Sequence, residues 1–267
     1  MSGRIRLLVS DIDGTLVRPD KSLGPPVEDA CRRLRAAGVH LALVSARPVS
    51  GMLELVRRTG ADALCGAFNG GALFHPDGRV VSAHRLAPNV ARRALDLLRE
   101  GGAQPWLFAD GRWYALDGHG PHTASERITA AQEPVVVDRF DGDLLARVDK
   151  LVGVSDDAPA LAALERRAAE TLGAAAAVAR SQSYYLDVTA PEADKGRAVR
   201  AVAEAAGVDL REVAVIGDGR NDTKMFAVAG RSFAVANAAD EVRTAATETV
   251  ASNADDGVAQ AIGRLLA

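Results

Sequence analysis

Two carboxylates, Asp11 and Asp13, follow the apolar run of residues 5–9 and precede Gly14. The run has the length of a buried strand, and Gly14 allows the chain to turn sharply after it. In an open parallel sheet, ligands bind outside the carboxyl ends of the strands. Two carboxylates this close repel each other unless a cation lies between them or one keeps its proton. The sequence therefore predicts a chemically active site at the end of this strand.

A second acidic strand end occurs late in the chain. The apolar run of residues 213–216 is followed by Gly217, Asp218, Gly219, Arg220, Asn221 and Asp222. The glycines permit close approach, and Asn221 suits the cap of a following helix. Carboxylate oxygens are the ligands that a hard cation prefers. We therefore expect this segment to supply further oxygen ligands to the site that contains Asp11.

Three other positions can bind an anion, although each has a simpler interpretation. Ser45 and Arg47 follow a predicted strand where a helix begins, so they could hold an anion or serve as a helix cap and a surface charge. Lys195 begins a helix, where the macrodipole disfavours a cation unless a negative partner compensates it; otherwise it is a solvated residue. Asn69 lies at a strand end that could also be a hairpin turn.

Composition excludes several classes of function. The 267 residues carry a net charge of -3, which gives no general attraction for nucleic acid or an anionic membrane. No apolar stretch is long enough to span a membrane, and the N-terminus does not resemble a signal peptide, so we expect a cytoplasmic protein. Cys31 and Cys65 lack metal-ligand spacing and are expected to be small buried hydrophobic residues.

Alternating strands and helices in residues 1–81 and 184–267 predict one α/β core, a Rossmann-like doubly wound parallel sheet. Residues 82–183 differ, because their helical stretches are mixed with short aromatic strands and lack a comparable acidic strand end. We interpret this middle part as an inserted α+β domain.

The four segments DIDGTL, VSAR, DKG and GDGRND, in that order, resemble the four motifs of the haloacid-dehalogenase (HAD) superfamily of aspartate-dependent phosphohydrolases. The contexts FNGGALF, GDGRNDTKMF, AVANA and SNADDGVA are similar to its Cof-like sugar-phosphatase branch. Two departures are modest: VSAR stands where Thr-Gly-Arg is commonest, and FNGG replaces Asn-Gly-Ala. The resemblance implies a phosphatase that acts on a small phosphate ester, with the inserted domain as a cap over the site.

The resemblance also implies catalytic roles. Asp11 would attack phosphorus to form an aspartyl-phosphate, and Asp13 would act as general acid and then general base. We expect the neighbouring negative charge to favour the protonated form of Asp13. Mg²⁺ would be held by the Asp11 carboxylate, the Asp13 backbone carbonyl and Asp218, with Asp222 ordering its waters.

Lys195 and Ser45 would bind the oxygens of the transferring phosphoryl group, and Lys195 would also offset the negative charge of Asp11. The other residues that the resemblance implies in substrate binding or support are Thr15, Arg47, Asn69 and Asn221. Two alternatives remain open at this point: a phosphomutase with the same fold, and a non-catalytic protein that binds sugar phosphates. A binder needs no nucleophile, so the full set of catalytic residues favours an enzyme.

Overall fold

The chain folds into three β-sheets with helices packed on their faces, as described by a computed structural model for residues 4–267. The strands are β1 (Leu7–Ser10), β2 (His40–Leu43), β3 (Cys65–Ala67), β4 (Ala72–Phe74), β5 (Val80–Ala83), β6 (Gln104–Ala109), β7 (Arg112–Ala115), β8 (Val135–Val136), β9 (Val148–Val154), β10 (Ala177–Gln182), β11 (Tyr185–Thr189), β12 (Val213–Gly217), β13 (Arg231–Val235) and β14 (Glu248–Val250). The helices are α1 (Pro25–Ala36), α2 (Ser50–Thr59), α3 (Pro88–Glu100), α4 (Thr123–Ala130), α5 (Gly142–Leu145), α6 (Ala158–Leu172), α7 (Lys195–Ala206), α8 (Thr223–Phe226), α9 (Asp240–Ala245) and α10 (Gly257–Leu266).

The sheet that positions the site is entirely parallel and has the strand order β14-β13-β12-β1-β2. Leu7 of β1 pairs with Val213 of β12 on one side and with His40 of β2 on the other. The two strands that precede acidic segments in the sequence are therefore neighbours. This sheet confirms the predicted Rossmann-like α/β core.

Helices cover both faces of the parallel sheet because its strands are apolar on both sides. Leu8 and Ile216 pack on one face with residues of α1, α2 and α10. Leu7 and Val215 pack on the opposite face with residues of α7, α8 and α9. Cys31 lies in the first of these clusters as a buried free thiol, and Cys65 is also free and buried, as the sequence predicts.

The predicted strand that ends at Asn69 is a short hairpin strand, β3, outside the parallel sheet. β3 pairs antiparallel with β4, and β4 pairs antiparallel with β5. A parallel bridge between Val44 and Gly66 connects this small sheet to the end of β2. The Asn-Gly-Gly segment thus forms the turn of a hairpin, which is the simpler of its two interpretations.

The middle of the chain forms a six-stranded sheet of order β10-β11-β9-β6-β7-β8, antiparallel except between β7 and β8. One of its faces packs against α3 and α6. The other face presents Trp106, Phe108 and Trp113, which share a buried cluster with residues of the parallel core.

One strand lies in a different sheet from the one the sequence predicts. The sequence pattern places residues 185–189 in the core, but β11 pairs with β9 and β10 in the antiparallel sheet. A short apolar strand carries no signal of which sheet it joins, and its partners are fixed only by packing. We therefore propose that the inserted segment runs to Thr189, beyond the predicted boundary at residue 183. Among the helices of residues 4–267, none is both long and apolar enough to cross a membrane.

Candidate active site

Three carboxylates meet at the carboxyl edge of the parallel sheet. Asp11 directly follows β1, and Asp218 and Asp222 follow the neighbouring β12. The Asp11 amide donates to the Ile216 carbonyl at 3.0 Å, which continues the strand pairing to the site. One carboxylate oxygen from each of the three residues lies within 4.8 Å of the other two. The structure thus brings together acids from opposite ends of the chain.

Lys195 supplies a buried positive charge to this acidic cluster. Its Nζ donates to Asp11 Oδ1 and to Asp222 Oδ1, both at 2.6 Å. Burial lowers the Lys195 pKa, but the two carboxylates outweigh it and the pKa is raised. Lys195 is the first residue of α7, whose cap is Asp194. The negative partners that its unfavourable helix-start position predicts are therefore present.

Asp222 is held rigidly by backbone donors. Its Oδ2 accepts from the amides of Asp218 at 3.0 Å and Gly219 at 2.8 Å, while its Oδ1 accepts from Lys195. Backbone amides that donate to a carboxylate fix its orientation. Asp222 therefore orients the loop that carries Asp218.

Thr15 holds Asp218 from the opposite side. Its Oγ1 donates to Asp218 Oδ1 at 2.7 Å, and the residue is almost fully buried. The resemblance implies that Thr15 supports substrate binding, but in this structure its hydroxyl contacts Asp218. Between them Gly14 adopts a φ of +82°, and a Cβ at Gly14 would lie 2.3 Å from Asp218 Oδ2. Only glycine fits this approach between the two loops.

The charge balance of the cluster favours a bound cation. Burial raises the pKa of Asp11, with Lys195 opposing this and Asp222 and Asp218 adding to it. Burial together with Asp222 raises the pKa of Asp218 to about 6. Three acids facing one ammonium leave uncompensated negative charge, and their oxygens are the donor type that Mg²⁺ prefers. The residues fit the predicted magnesium site.

Asp13 lines the same cavity as this cluster but is paired with two cations. Arg47 donates to both its carboxylate oxygens, and Lys21 Nζ donates to Oδ1 at 2.8 Å. Burial raises the Asp13 pKa, but these cations outweigh it and lower the pKa to about 2. The expectation that neighbouring negative charge favours protonated Asp13 is wrong for this state, because the nearest charges are positive. Nothing in the sequence indicates that Lys21 reaches Asp13.

Ser45 and Arg47, the two anion-binding candidates of the VSAR motif, line one cavity together with Asp11 and Asp13. Ser45 is buried at the end of β2, and its Oγ accepts from the Arg47 amide at 3.2 Å. The Arg47 guanidinium is also buried and donates through Nη1 to the Gly51 carbonyl at 3.1 Å. The simpler interpretation is wrong for both residues, because α2 begins at Ser50 with Val49 as its N-cap and because Arg47 is buried.

Asn69 and Asn221 form a pair beside the carboxylates. Asn221 Nδ2 donates to Asn69 Oδ1 at 3.0 Å. Asn221 lines both the cavity above Asp11 and an adjoining cavity, whereas Asn69 lines the adjoining one. Asn69 has a φ of +58°, in the left-handed region that asparagine tolerates better than most residues. Asn69 therefore lies beside the cavity above Asp11, and its hydrogen bond with Asn221 connects it to that cavity.

The cavity above Asp11 has a volume of about 150 Å³ and lies between the core and the six-stranded sheet. From the core it is lined by Asp11, Asp13, Lys21, Ser45, Ala46, Arg47, Lys195, Asp218, Gly219, Asn221 and Asp222. From the inserted segment it is lined by Ser125, Glu126, Thr129, Lys150, Ser181, Gln182, Tyr184 and Tyr185. Sequence reasoning missed the second group, although a lysine inside an apolar strand, such as Lys150 in β9, is a signal that could have identified one member.

The site is an acidic cluster with one lysine at the carboxyl edge of a doubly wound sheet, and an inserted α+β segment covers it. This arrangement defines a class of α/β hydrolases. The chain belongs to the haloacid dehalogenase-like hydrolase family, whose model matches residues 8–262. The predicted class of enzyme, an HAD-type phosphatase, is confirmed by this match together with the names of curated relatives.

Two curated proteins and one solved structure illustrate the similarity. HMP-PP phosphatase of Cronobacter sakazakii is 29% identical over 246 residues, which cover 87% of this chain and 85% of that protein. The putative phosphatase YxeH of Bacillus subtilis is 28% identical over 271 aligned residues, covering 98% of each chain. The crystal structure of a haloacid dehalogenase-like hydrolase from Bacteroides thetaiotaomicron superposes with a TM-score of 0.87 at 26% identity, covering 98% of this chain and 100% of that one.

Proposed function

We propose that this protein is a Mg²⁺-dependent phosphatase that hydrolyses a small phosphorylated metabolite, a sugar phosphate, through a covalent aspartyl-phosphate. The observation that carries the proposal is the convergence of Asp11, Lys195, Asp218 and Asp222 within one cavity. A protein that only binds a phosphate ester needs no buried carboxylate beside its anion site. The relatives named as phosphatases support the same reaction class.

In the first step an Asp11 carboxylate oxygen attacks phosphorus, and the bond from phosphorus to the leaving oxygen breaks. Lys195 opposes the rise that burial causes in the pKa of Asp11, and it neutralises charge on the transferring group. Asp13 gives its proton to the leaving oxygen. The substrate's phosphoryl charge would raise the Asp13 pKa and compete for Arg47 and Lys21, so substrate binding would prepare Asp13 for this role.

In the second step a water attacks phosphorus of the aspartyl-phosphate. Asp13, now ionised, accepts the proton of that water, and inorganic phosphate leaves as Asp11 is regenerated. The arginine and lysine that lower the pKa of Asp13 to about 2 favour the ionised form that this step requires. Asp13 therefore acts as the acid while the leaving group is bound and as the base after the leaving group has departed.

The bound Mg²⁺ would supply positive charge that lets the anionic nucleophile approach an anionic phosphoryl group. The Asp11 and Asp218 carboxylates and the Asp13 backbone carbonyl would hold it, with Asp222 behind them. Thr15 contributes by fixing Asp218, and Asp222 by orienting the loop of Asp218. Ser45, Arg47 and Asn221, which line the same cavity, would bind the phosphoryl oxygens.

The proposal is tested by phosphate release from p-nitrophenyl phosphate with Mg²⁺, with EDTA, and with the variant Asp11→Asn. We expect release that depends on Mg²⁺ and is lost in the variant. Asp29→Asn, on the exposed surface of α1, is the control and should retain full activity. Activity that persists in both EDTA and Asp11→Asn would contradict the mechanism. Transfer of the phosphoryl group between sugar positions without accumulation of inorganic phosphate would indicate a mutase.

A further inference from the structure

Two segments with no role in the mechanism proposed above lie at the same edge of the parallel sheet as the carboxylates. They are AVANA (residues 234–238), which begins within β13, and SNADDGVA (residues 252–259), which follows β14. The strands of this sheet are parallel, so the residues after each strand emerge at the carboxyl edge, where Asp11 and Asp218 also lie. Both segments can therefore reach the loop that follows β1.

Two asparagines, one from each segment, hold the loop after β1 by its backbone. Asn237 Nδ2 donates to the Gly14 carbonyl at 2.8 Å, and Asn253 Nδ2 donates to the Val17 carbonyl at 2.8 Å. The Asn253 amide also donates to Asn237 Oδ1 at 2.9 Å, which joins the two residues. A backbone amide can only donate, so this bond leaves Asn237 Nδ2 as the atom that faces Gly14. The two side-chain amides therefore form one connected support.

An ion pair ties the same loop to the second segment. Arg18 Nη2 donates to both carboxylate oxygens of Asp256, at 3.0 and 3.1 Å. Asp256 directly precedes α10, so the pair connects the loop to the start of a helix that packs on the core. Little space separates the two, because a Cβ at Gly24 would lie 2.6 Å from Asp256 Oδ1. We call the three residues that hold the loop, Asn237, Asn253 and Asp256, the C-terminal brace.

The loop held by the C-terminal brace carries Asp13 and the lysine that pairs with it. The backbone of Asp13 forms a parallel bridge with Val17, whose carbonyl is the acceptor for Asn253. The Arg18 carbonyl accepts from the Lys21 amide at 2.9 Å, and Lys21 Nζ donates to Asp13 Oδ1 at 2.8 Å. A shift of Val17 or Arg18 would therefore move Asp13 and Lys21 together.

Hydrogen bonds are suited to setting the exact position of this loop. Leu16 and Val17 are buried, so apolar burial already favours keeping the loop on the core. Apolar contact is non-directional, however, whereas a hydrogen bond favours a narrow range of distances and near-linear angles. The C-terminal brace therefore adds positional precision to a loop that the core already holds. Proton transfer by a side chain needs such precision, because it occurs over hydrogen-bond distance.

We propose that the three residues of the C-terminal brace are positioning residues of the reaction, which act through residues 14–21 to set the Asp13 carboxyl group at the leaving oxygen of the substrate. The proton passes from this carboxyl group to the oxygen whose bond to phosphorus breaks. This inference rests on the proposed phosphatase function, and it makes that proton transfer depend on the C-terminal end of the chain.

The test uses two aryl phosphates whose leaving groups differ in how much they need a proton. The nitro group lets p-nitrophenolate leave without protonation, whereas phenolate is a stronger base and needs more help from a general acid. We measure kcat/KM with Mg²⁺ for p-nitrophenyl phosphate and for phenyl phosphate. In Asn253→Leu, which removes the side-chain amide at similar size, we expect kcat/KM to fall by about 10- to 100-fold for phenyl phosphate and much less for p-nitrophenyl phosphate.

Asn237→Ala repeats the measurement at an exposed position, where truncation creates no cavity in the core. It should change the ratio of the two kcat/KM values in the same direction, because the Gly14 carbonyl loses its donor. Asp256→Asn should change the ratio less, because asparagine retains one oxygen that can accept from Arg18. If Asn253→Leu does not fold, Asn237→Ala alone decides.

Thr247→Val is the matched control, because it removes comparable hydrogen bonds at the opposite edge of the same two strands. Thr247 Oγ1 donates to the Ser232 carbonyl at 2.6 Å and accepts from the Ser232 amide at 2.9 Å. Ser232 lies near the start of β13, and Thr247 directly precedes β14. Thr247→Val should lower the urea midpoint of unfolding, as Asn253→Leu does, but leave the ratio of the two kcat/KM values at its wild-type value.

Two results would overturn the inference. One is a wild-type ratio of the two kcat/KM values in both Asn253→Leu and Asn237→Ala. The other is an equal change of this ratio in Thr247→Val, because the effect would then follow stability rather than position. Absence of phosphate release by the wild type from both compounds would instead overturn the proposed function, so the two failures are distinguishable.

Discussion

The guanidinium of Arg47 donates two parallel hydrogen bonds to the carboxylate of Asp13. Nε donates to Oδ2 at 2.7 Å, and Nη2 donates to Oδ1 at 2.8 Å. Its remaining nitrogen donates to the Gly51 carbonyl, which fixes the fork relative to α2. Two-pronged pairing of this kind is stronger and more directional than a single contact. The acid and base chemistry that we assign to Asp13 is therefore controlled by Arg47.

This pairing makes the stability of the protein depend on pH through Asp13. Burial raises the Asp13 pKa, but Arg47 and Lys21 lower it to about 2, below the unfolded value of about 3.9. A depressed pKa contributes stability that is present above the unfolded value and is lost as the pH falls toward 2. We expect Asp13→Asn to lose about 2 kcal/mol of unfolding free energy near neutral pH.

The measurement is denaturant unfolding of wild type and Asp13→Asn as the pH is lowered. Their difference in unfolding free energy should roughly halve by about pH 3. Asp29→Asn, at an exposed carboxylate, should differ little from wild type throughout. A difference between Asp13→Asn and wild type that stays constant with pH would show that the ion pair is not its cause.

The approach of Gly14 to Asp218 yields a second prediction. In Gly14→Ala the new Cβ would collide with Asp218 Oδ2 at 2.3 Å and displace the carboxylate. We expect kcat/KM to fall by about 100-fold or more, since a shift of roughly 1 Å in a catalytic group costs that much. The backbone penalty of the positive φ, about 1–2 kcal/mol, adds a loss of stability.

Gly38→Ala separates these two effects. Gly38 has a similar φ of +77°, but a Cβ added there would meet no atom within 4 Å. It should therefore lose comparable stability in thermal unfolding and retain activity. Equal activity of the two variants would show that the contact with Asp218 does not matter.

The core of the site could be predicted from the sequence because its signals are local. Asp11 and Asp218 each follow an apolar strand, and neighbouring parallel strands deliver such residues to one edge. Lys195 was identifiable because a cation at a helix start needs a negative partner. These arguments need only the strand periodicity and the polarity of the residue that follows.

The roof of the site could not be predicted in the same way. Glu126, Lys150 and Tyr185 come from one helix and two strands of an antiparallel sheet, whose packing on the core has no local signature. The pairing of Lys21 with Asp13 depends on a turn in which Lys21 adopts a φ of +68°. The position of β11 was missed for a related reason, because sheet membership is decided by tertiary packing.

The ammonium of Lys195 should be essential for stability when no metal is present. Lys195→Met would leave the buried Asp11 and Asp222 carboxylates without their shared cation. Removing one partner of a buried ion pair typically costs about 3–5 kcal/mol. We expect a loss of this size in EDTA, measured by denaturant unfolding, and partial recovery in Mg²⁺.

The double variant Lys195→Met with Asp222→Asn tests the origin of that loss. It removes the cation together with one of the charges that the cation compensates, so it should be more stable in EDTA than Lys195→Met alone. Additive losses in the double variant would mean that packing of the lysine chain, rather than charge, is responsible.

Binding of Mg²⁺ should become tighter as the pH rises through about 6. Burial, with Asp222, raises the Asp218 pKa to about 6, and burial raises the pKa of Asp11. A metal ligand must lose its proton, so below this range the affinity should fall by about tenfold per pH unit for each proton displaced. Calorimetric titration with MgCl₂ between about pH 5 and pH 7.5 measures this pH dependence of the affinity.

In Asp218→Asn the pH dependence of Mg²⁺ affinity should weaken along with the affinity itself. Asp209→Asn is a control, since Asp209 is exposed and lies outside the cluster. An Mg²⁺ affinity that does not change with pH in the wild type would contradict the assignment of these carboxylates as metal ligands.

Contact between α2 and α4 holds the inserted segment against the core above the site. Ser50 Oγ donates to the Ala130 carbonyl at 2.6 Å, and a Cβ on Gly51 would lie 1.9 Å from the Thr129 carbonyl. Gly51→Ala should therefore push α4 outward and displace Glu126 from the cavity. We expect kcat/KM for p-nitrophenyl phosphate to fall by about 10- to 100-fold, since misplacement by about 1 Å has effects of this order.

Gly263→Ala in α10 is the matched control for Gly51→Ala, because a Cβ at Gly263 would meet nothing within 4 Å. It should leave kcat/KM unchanged while stabilising the helix by about 0.5–1 kcal/mol, since alanine loses less conformational freedom than glycine when a helix forms. If Gly51→Ala retains wild-type kcat/KM, close packing of α4 on α2 is not needed to form the site.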